Sequence, residues 1–293
     1  MNNEVKYAVV PCAGKGTRFL PVTKGVAKEM LNIIDRPTLD YIVDELIDGG
    51  ITDIVFVVSV DKTEIKKFYD RDEDFEQDLI KNNKAKYAEM IKKTAQKARF
   101  HYVIQYEQLG LGHAVLCAKE AVGNNNFVVC CGDDITTYTG VAPMKQLIDA
   151  FKETNSTIVG GQKVPHKDIV KYGSMKPGKV LADGFFKLDD IVEKPALDEA
   201  PSDYASLGKW VFKPNIFTEI EHTPKGKGGE IQLTDAIASL IKKEDVYFKE
   251  FDGHRYDCGD KLGFLKAIVN VALDREDLGP DFRNYLEELL KTK

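Results

Sequence analysis

Short apolar runs alternate with longer helical stripes along the first half of the chain. Val5 to Val10 is β-branched and ended by Pro11, the pattern of a buried strand. Thr38 to Asp48 then reads as a helix, with Leu39, Ile42, Val43 and Leu46 on one face and Gly49-Gly50 as its stop. Asp53 to Ser59 is a second buried strand, and strand, helix, strand at this spacing predicts a parallel βαβ unit. Asp61 to Ala98 is charged and helix-prone, predicting two helices broken near Asp70-Arg71-Asp72 with a solvated face. Phe100 to Tyr106 is the next strand, a glycine loop at Gln108 to Ala114 opens a helix through Val122, and Asn126 to Cys131 is a fully apolar strand.

Beyond the helix Pro143 to Thr154 and the extended run Ser156 to Val164, the rhythm changes. Phe185 to Val192 and Tyr204 to Phe212 read as strands with no long helix between them, which predicts an antiparallel portion joined to the parallel sheet. Pro214 to Glu221 and Ile231 to Lys242 are helices around a flexible Pro224 to Gly229 segment. A strand at Val246 to Phe251, a turn at Arg255 to Gly259 and helices at Lys261 to Leu273 and from Pro280 to Lys291 complete the chain. There is no internal repeat and no long linker, so one mixed α/β domain spanning 1–293 is expected.

Composition narrows the function. The chain has 293 residues, 43% hydrophobic and 30% charged, enough for a sizeable core in a soluble protein. No apolar stretch approaches the roughly 20 residues a membrane span needs, and Met1-Asn2-Asn3-Glu4 does not read as a signal peptide. Five cysteines without a C-x-x-C pair suggest reduced core residues in a cytoplasmic protein. A net charge of −6 argues against nucleic acid as a partner. A polyanionic ligand would therefore depend on local lysines and a divalent cation.

The chemistry gathers at the first glycine-rich turn, Pro11-Cys12-Ala13-Gly14-Lys15-Gly16-Thr17-Arg18-Phe19-Leu20-Pro21. Small residues there let the backbone approach a ligand, and successive N–H groups can form an anion nest. Lys15, Arg18, Lys24 and Lys28 add positive charge, so the turn reads as a polyphosphate cradle. Phe19 stands where a dinucleotide fingerprint needs its third glycine, and no P-loop motif occurs. Asp133-Asp134 follows a buried strand at the sheet edge where such folds place ligands; the pair suits Mg²⁺ or simply a turn. Asp257 is a second metal candidate, and Asp260 is expected to cap the following helix. Glu193-Lys194 reads by itself as a surface ion pair, and His113 as a polar lid or core residue with no nucleophile beside it. The Gly229 to Asp235 run reads as helix capping and support behind the site.

The run G-x-G-T-R-F-L-P…K-E-M, taken with the later G-D-D, V-E-K-P and D-C-G motifs, resembles the sugar-nucleotide pyrophosphorylases, and the likeness extends from about Lys6 to Leu286. Cys12 stands where that family usually has Ala, and Ala27 where Pro often precedes K-E-M. The resemblance implies a Rossmann-like nucleotidyltransferase domain, with a nucleotide-binding part at about 1–135 and a sugar-phosphate part at about 136–293. It implies Mg²⁺-dependent uridylyl transfer from UTP to glucose 1-phosphate by a homo-oligomer, dimer or tetramer. Arg18, Lys28 and Lys194 are then the catalytic positions. Ala13, Gly14, Gln105, Gly110, Gly112 and Asp133 are placed at the nucleotide, with Gln105 and Gly110 reading the base. Tyr172, Gly173, Glu193, Lys194 and Gly208 fall at the sugar phosphate, where Gly208 avoids a collision with the ring and Lys194 is expected to be buried. Asp133 and Asp257 become the metal ligands, two carboxylates that would repel one another without a cation. The attacking group is the sugar phosphate, so no protein nucleophile is needed. Rival readings are the same reaction with dTTP or another hexose 1-phosphate, a sugar-nucleotide-binding regulator, and a nicotinamide oxidoreductase. The last is disfavoured by Phe19 and by Ser59 at the end of the second strand.

Overall fold

A computed structural model describes residues 3–292. Nine strands form one sheet, in the spatial order Arg99–Ile104, Asp53–Val58, Val5–Pro11, Asn126–Cys130, Tyr204–Phe212, Thr157–Lys163, Val246–Glu250, Phe185–Glu193 and Gly173–Ala182. The first four run parallel, as the βαβ spacing requires. Tyr204–Phe212 enters antiparallel beside Asn126–Cys130, and the strands beyond it are mixed. The expected mostly parallel sheet with an antiparallel portion is therefore present.

Alternate residues of the parallel strands go to opposite faces, and both faces are covered. Ala8, Val10, Ile54, Phe56, Val128 and Cys130 meet the helices Thr38–Asp48 and Pro143–Thr154 on one side. Val9, Val55, Val57, Phe127 and Val129 meet Leu111–Cys117, Ile216–His222 and Leu233–Ile241 on the other. Burial on both faces is why these strands read as unbroken apolar runs.

Several expectations need correction. The stretch 61–98 holds three helices, Glu64–Tyr69, Glu73–Lys81 and Ala85–Ala95. The break at 70–72 is present, but a second falls at Asn83, which takes the left-handed conformation (φ 58°) that asparagine tolerates. Gly173–Ala182 is a strand, paired in a hairpin with Phe185–Glu193. Its Pro177 and Gly178 and its exposed outer half hide it from an apolar count. Asp134–Thr137, for which no element was expected, pairs as a two-stranded antiparallel ribbon with His254–Asp257, which overlaps the turn expected at Arg255 to Gly259. Among the described residues no helix is long and apolar enough to cross a membrane.

One buried charge pair joins the layers. Lys209 is fully buried and donates to Glu45 Oε2 at 2.8 Å, while Glu45 Oε1 accepts the Met144 N–H at 3.1 Å. One carboxylate thus holds a sheet lysine and the first turn of the Pro143–Thr154 helix. Removing one partner of such a pair strands a buried charge. Lys209→Met is expected to cost about 3–5 kcal/mol in urea unfolding. Lys209→Met combined with Glu45→Gln should recover most of that, because glutamine keeps an acceptor for Met144. Equal losses in the single and double variants would remove the pair from this role.

Candidate active site

The glycine-rich turn leaves the strand Val5–Pro11 and winds through three short 3-10 turns, Thr17–Phe19, Val22–Lys24 and Lys28–Met30. Two side chains that sequence reasoning missed shape it from behind. Lys62 donates to the carbonyls of Cys12 and Gly14 (the latter at 2.7 Å) and to Glu29 Oε2 at 2.9 Å. Gln108 Nε2 donates to Ala13 O at 2.8 Å. Three successive carbonyls are thereby satisfied by donors, which fixes the loop's conformation. Both residues are polar members of loops far away in sequence, so no local pattern marks them. Phe19 packs edge-on against Phe264, with ring centroids 5.6 Å apart, instead of allowing the close helix approach of a dinucleotide fold.

Ala13, Gly14, Lys28, Gln105, Gly110 and Asp133 line a cleft of about 520 Å³. Gly110 requires glycine twice over: its φ is +104°, and a Cβ would stand 2.7 Å from Glu230 Cβ and 2.9 Å from Ile231 O. Ile231 grips this turn, donating to Leu109 O at 2.7 Å and accepting from Gly112 N at 2.9 Å. Gly112, expected at the nucleotide, gives its own N–H to Ile231, so that N–H is not left for a ligand. The Gly229 to Asp235 run supports the base end of the cleft through its backbone. Its helix begins at Leu233, and Gln232 makes no side-chain cap.

A second cavity of about 220 Å³ adjoins the first, and Leu111, Cys131 and Asp133 line both. Tyr172, Gly173, Glu193, Lys194, Gly208 and Asp257 all line this second space, together with Arg18. Glu193 accepts from Thr234 Oγ1 at 2.7 Å and lies 3.0 Å from Lys194 Nζ. Lys194 is not buried as expected: its side chain is 47% exposed, and its backbone is left-handed (φ 45°) just after the strand. Arg18 donates to Gly259 O at 2.8 Å, tying the glycine-rich turn to the loop that carries Asp257.

Gly208 carries the sheet through this junction. Before it, Ala205 and Ser206 pair with Ser174 and Gly173; after it, Lys209 to Phe212 pair with Asn126–Cys130. Its φ is +64°, and a Cβ would lie 2.8 Å from Asp134 Oδ2 and 3.2 Å from Cys131 Cβ. The collision that keeps this position small is thus with the protein, and the expected clash with a sugar ring is not needed to explain it. Asp134 itself is gripped by Arg255 through Nε at 2.8 Å and Nη2 at 2.7 Å, and Arg255 also donates to the Tyr172 hydroxyl at 3.2 Å. Burial pushes the Asp134 carboxyl up to about 6, although Arg255 works in the opposite direction. Arg255 was missed because the segment read as a turn. In the ribbon it faces Thr136 and reaches across to Asp134.

Asp133 and Asp257 converge as expected. The Cys258 N–H donates to Asp133 O at 2.8 Å, and a Cβ on Gly259 would stand 2.5 Å from Asp133 Oδ2 and 3.1 Å from Asp257 Oδ1. Two carboxylates flanking one point at a cavity wall, with room left for phosphate oxygens and water, fit Mg²⁺. Among the described residues no group of three or more His, Cys, Asp or Glu side chains offers a closed metal site. The expected carboxylate repulsion is already relieved, because Lys28 pairs with Asp133 Oδ2. Burial works against that ammonium, but Asp133 and Glu29 hold its pKa above the ordinary lysine value. Asp260 caps its helix as expected, accepting from Leu262 N at 3.0 Å and Gly263 N at 3.1 Å.

A glycine-rich cradle, a base-sized cleft and an adjoining carboxylate-lined pocket at the strand ends define a nucleotidyl-transfer fold and site. The nucleotidyl transferase family matches residues 7–273, and the chain belongs to it. UTP–glucose-1-phosphate uridylyltransferase of Streptococcus pneumoniae serotype 4 is 42% identical over 294 residues, covering 99% of this chain and 98% of that one. The enzyme of that name from Staphylococcus epidermidis is 40% identical over 286 residues, 98% of this chain and 99% of its own. Among solved structures, UDP-glucose pyrophosphorylase from Acinetobacter baumannii superposes with a TM-score of 0.90 at 34% identity, over 98% of this chain and all of that one. A UDP-glucose pyrophosphorylase in complex with UDP-glucose gives 0.85 at 33% identity, over 93% of this chain and 100% of its own.

The two glycines in the sugar-side cavity should separate cleanly on substitution. Gly208→Ala meets both a left-handed backbone and the Asp134 carboxylate, and is expected to cost roughly 1–3 kcal/mol in thermal or urea unfolding. Gly173→Ala, whose Cβ would find nothing closer than 3.5 Å, should stay near wild type. Similar stability in both variants would contradict the junction role of Gly208.

Proposed function

We propose that this chain transfers the uridylyl group of UTP to glucose 1-phosphate, giving UDP-glucose and pyrophosphate, with Mg²⁺ as cofactor. The observation that carries the reading is the shared wall of the two cavities. A nucleotide cleft and a sugar-phosphate pocket meet at Cys131 and Asp133, so the α-phosphate of one ligand would face the phosphate of the other. The uridylyltransferase names of relatives at 40–42% identity support the choice of substrates.

A phosphate oxygen of glucose 1-phosphate attacks the α-phosphorus in line, the bond to the bridging oxygen breaks, and pyrophosphate leaves. Both partners are held, so the protein contributes alignment and charge. Gln105 and Gly110 hold the base, and the Ala13–Gly14 turn follows the triphosphate. Lys28 and Arg18 neutralise the departing pyrophosphate. Lys194, half exposed at the pocket mouth, draws in the sugar phosphate, while Glu193, steadied by Thr234, accepts from sugar hydroxyls. Held by Asp133 and Asp257, Mg²⁺ would supply positive charge to the phosphate oxygens.

Two measurements test this reading. In a pyrophosphate-release assay across five nucleoside triphosphates and several sugar 1-phosphates, UTP with glucose 1-phosphate should lead by at least about tenfold, roughly 1.4 kcal/mol. Equal turnover with dTTP, ATP or GTP would replace the uridylyl assignment but keep the reaction class.

The second measurement concerns the metal. EDTA should abolish activity and excess Mg²⁺ restore it, and Asp133→Asn and Asp257→Asn should each lower turnover by about 10² or more. Because Lys28 is paired with Asp133, Asp133→Asn should also lower the melting temperature of the metal-free protein slightly. Metal-independent turnover of the wild type would refute the cofactor, and full activity of either variant at low Mg²⁺ would remove that residue from the site.

A further inference from the structure

Gln105 is buried at the base end of the cleft, its backbone N–H fixed to Val58 O at 2.8 Å. Its side-chain nitrogen lies 3.3 Å from Gly110 O and 3.0 Å from His113 Nδ1. A peptide carbonyl only accepts hydrogen bonds, so the Gln105 atom facing Gly110 has to be the amide nitrogen. That nitrogen only donates, so His113 Nδ1 is in turn an acceptor, and the neutral ring carries its proton on Nε2. The sulfur of Cys117, one helical turn further on, lies nearly equally far from both ring nitrogens, 3.9 Å from Nε2 and 4.0 Å from Nδ1, so the tautomer is set by the Gln105 contact. Both amide hydrogens of Gln105 are then committed to the protein. Its carbonyl oxygen is the polar group left to present to the cleft that the residue lines.

We propose that His113 is a specificity-determining positioning residue, which locks the Gln105 amide with its oxygen toward the base. The inference rests on the uridylyl reading above. A base meeting that oxygen must donate. With N3 of the base set against that oxygen, uracil donates its N3–H, whereas cytosine presents a lone pair there and is repelled. Fixing the amide therefore adds a penalty against the wrong base to a bond with the right one. His113 is itself held in place: it is the third residue of the helix Leu111–Cys117, whose first turn is bonded to Ile231 through Gly112. Without His113, only the longer Gly110 contact would oppose rotation of the amide by half a turn, which would offer its nitrogen to cytosine.

The test compares kcat and KM for UTP and for CTP in wild type, His113→Leu, His113→Asn and Gln105→Leu. In His113→Leu the UTP-over-CTP ratio of kcat/KM should fall about tenfold or more, with the loss for UTP lying more in KM than in kcat. His113→Asn, whose side-chain oxygen can stand near the Nδ1 position, should restore most of the ratio. A merely structural histidine would lower both nucleotides alike, so an unchanged ratio in His113→Leu overturns the proposal. In that case a fall in Gln105→Leu leaves the base-reading role of Gln105 standing, and no fall there discards that role too. If His113→Leu does not fold, ¹⁵N-histidine spectra of the wild type, assigned against His113→Asn, decide the matter. The Nε2–H tautomer supports the lock, and the Nδ1–H tautomer overturns it.

Discussion

The site depends on a single change of partner within one strand. Tyr204–Phe212 pairs with Gly173–Ala182 before Gly208 and with Asn126–Cys130 after it, and the Gly208 carbonyl accepts from Cys131 N at 2.8 Å. A left-handed residue at that point lets the strand bulge without losing its hydrogen bonds on either side. The bulge lets this one strand serve both Asn126–Cys130, which leads into the Asp133 turn, and the hairpin that ends in Glu193. Residues on both sides of Gly208 share the consequence, with Lys209 locked to Glu45 in the core and Asp134 filling the space a Cβ would occupy.

Around this junction three acidic groups are each met by a base from a distant segment. Asp133 meets Lys28, Glu29 meets Lys62, and Asp134 meets Arg255. These pairs let several carboxylates crowd the walls of two cavities without mutual repulsion dominating. They also explain how a chain of net charge −6 can offer a polyanion a favourable surface, since charge at close range outweighs the average. The partner of each acid sits 33 to 121 residues away in sequence. The site is accordingly a product of the tertiary fold, held by ion pairs that also position its loops.

The base end follows the same logic with neutral groups. Ile231 fixes the turn at Leu109 and Gly112 through its own backbone, and Gly110 has no room for a side chain against it. Gln105 and His113 then orient one another inside that frame.

Much of this was legible in the sequence, for a physical reason. The parallel strands are buried on both faces at their centres, so residues 8–10, 54–58 and 127–130 had to be apolar without interruption, and the helices Thr38–Asp48 and Pro143–Thr154 had to carry a stripe. The glycine turn and the Asp133 and Asp257 positions are local chemistry, so their residue types survive in one dimension. What the sequence could not decide was set by partners far along the chain. The edge strand Gly173–Ala182 and the ribbon Asp134–Thr137 with His254–Asp257 take their shape from pairing, which leaves little hydrophobic trace at solvent-facing positions. The exposure of Lys194, the Arg255 grip on Asp134, the Lys62 support of the glycine turn and the spent N–H of Gly112 each depend on which group lies opposite. That is fixed only when the chain has closed on itself.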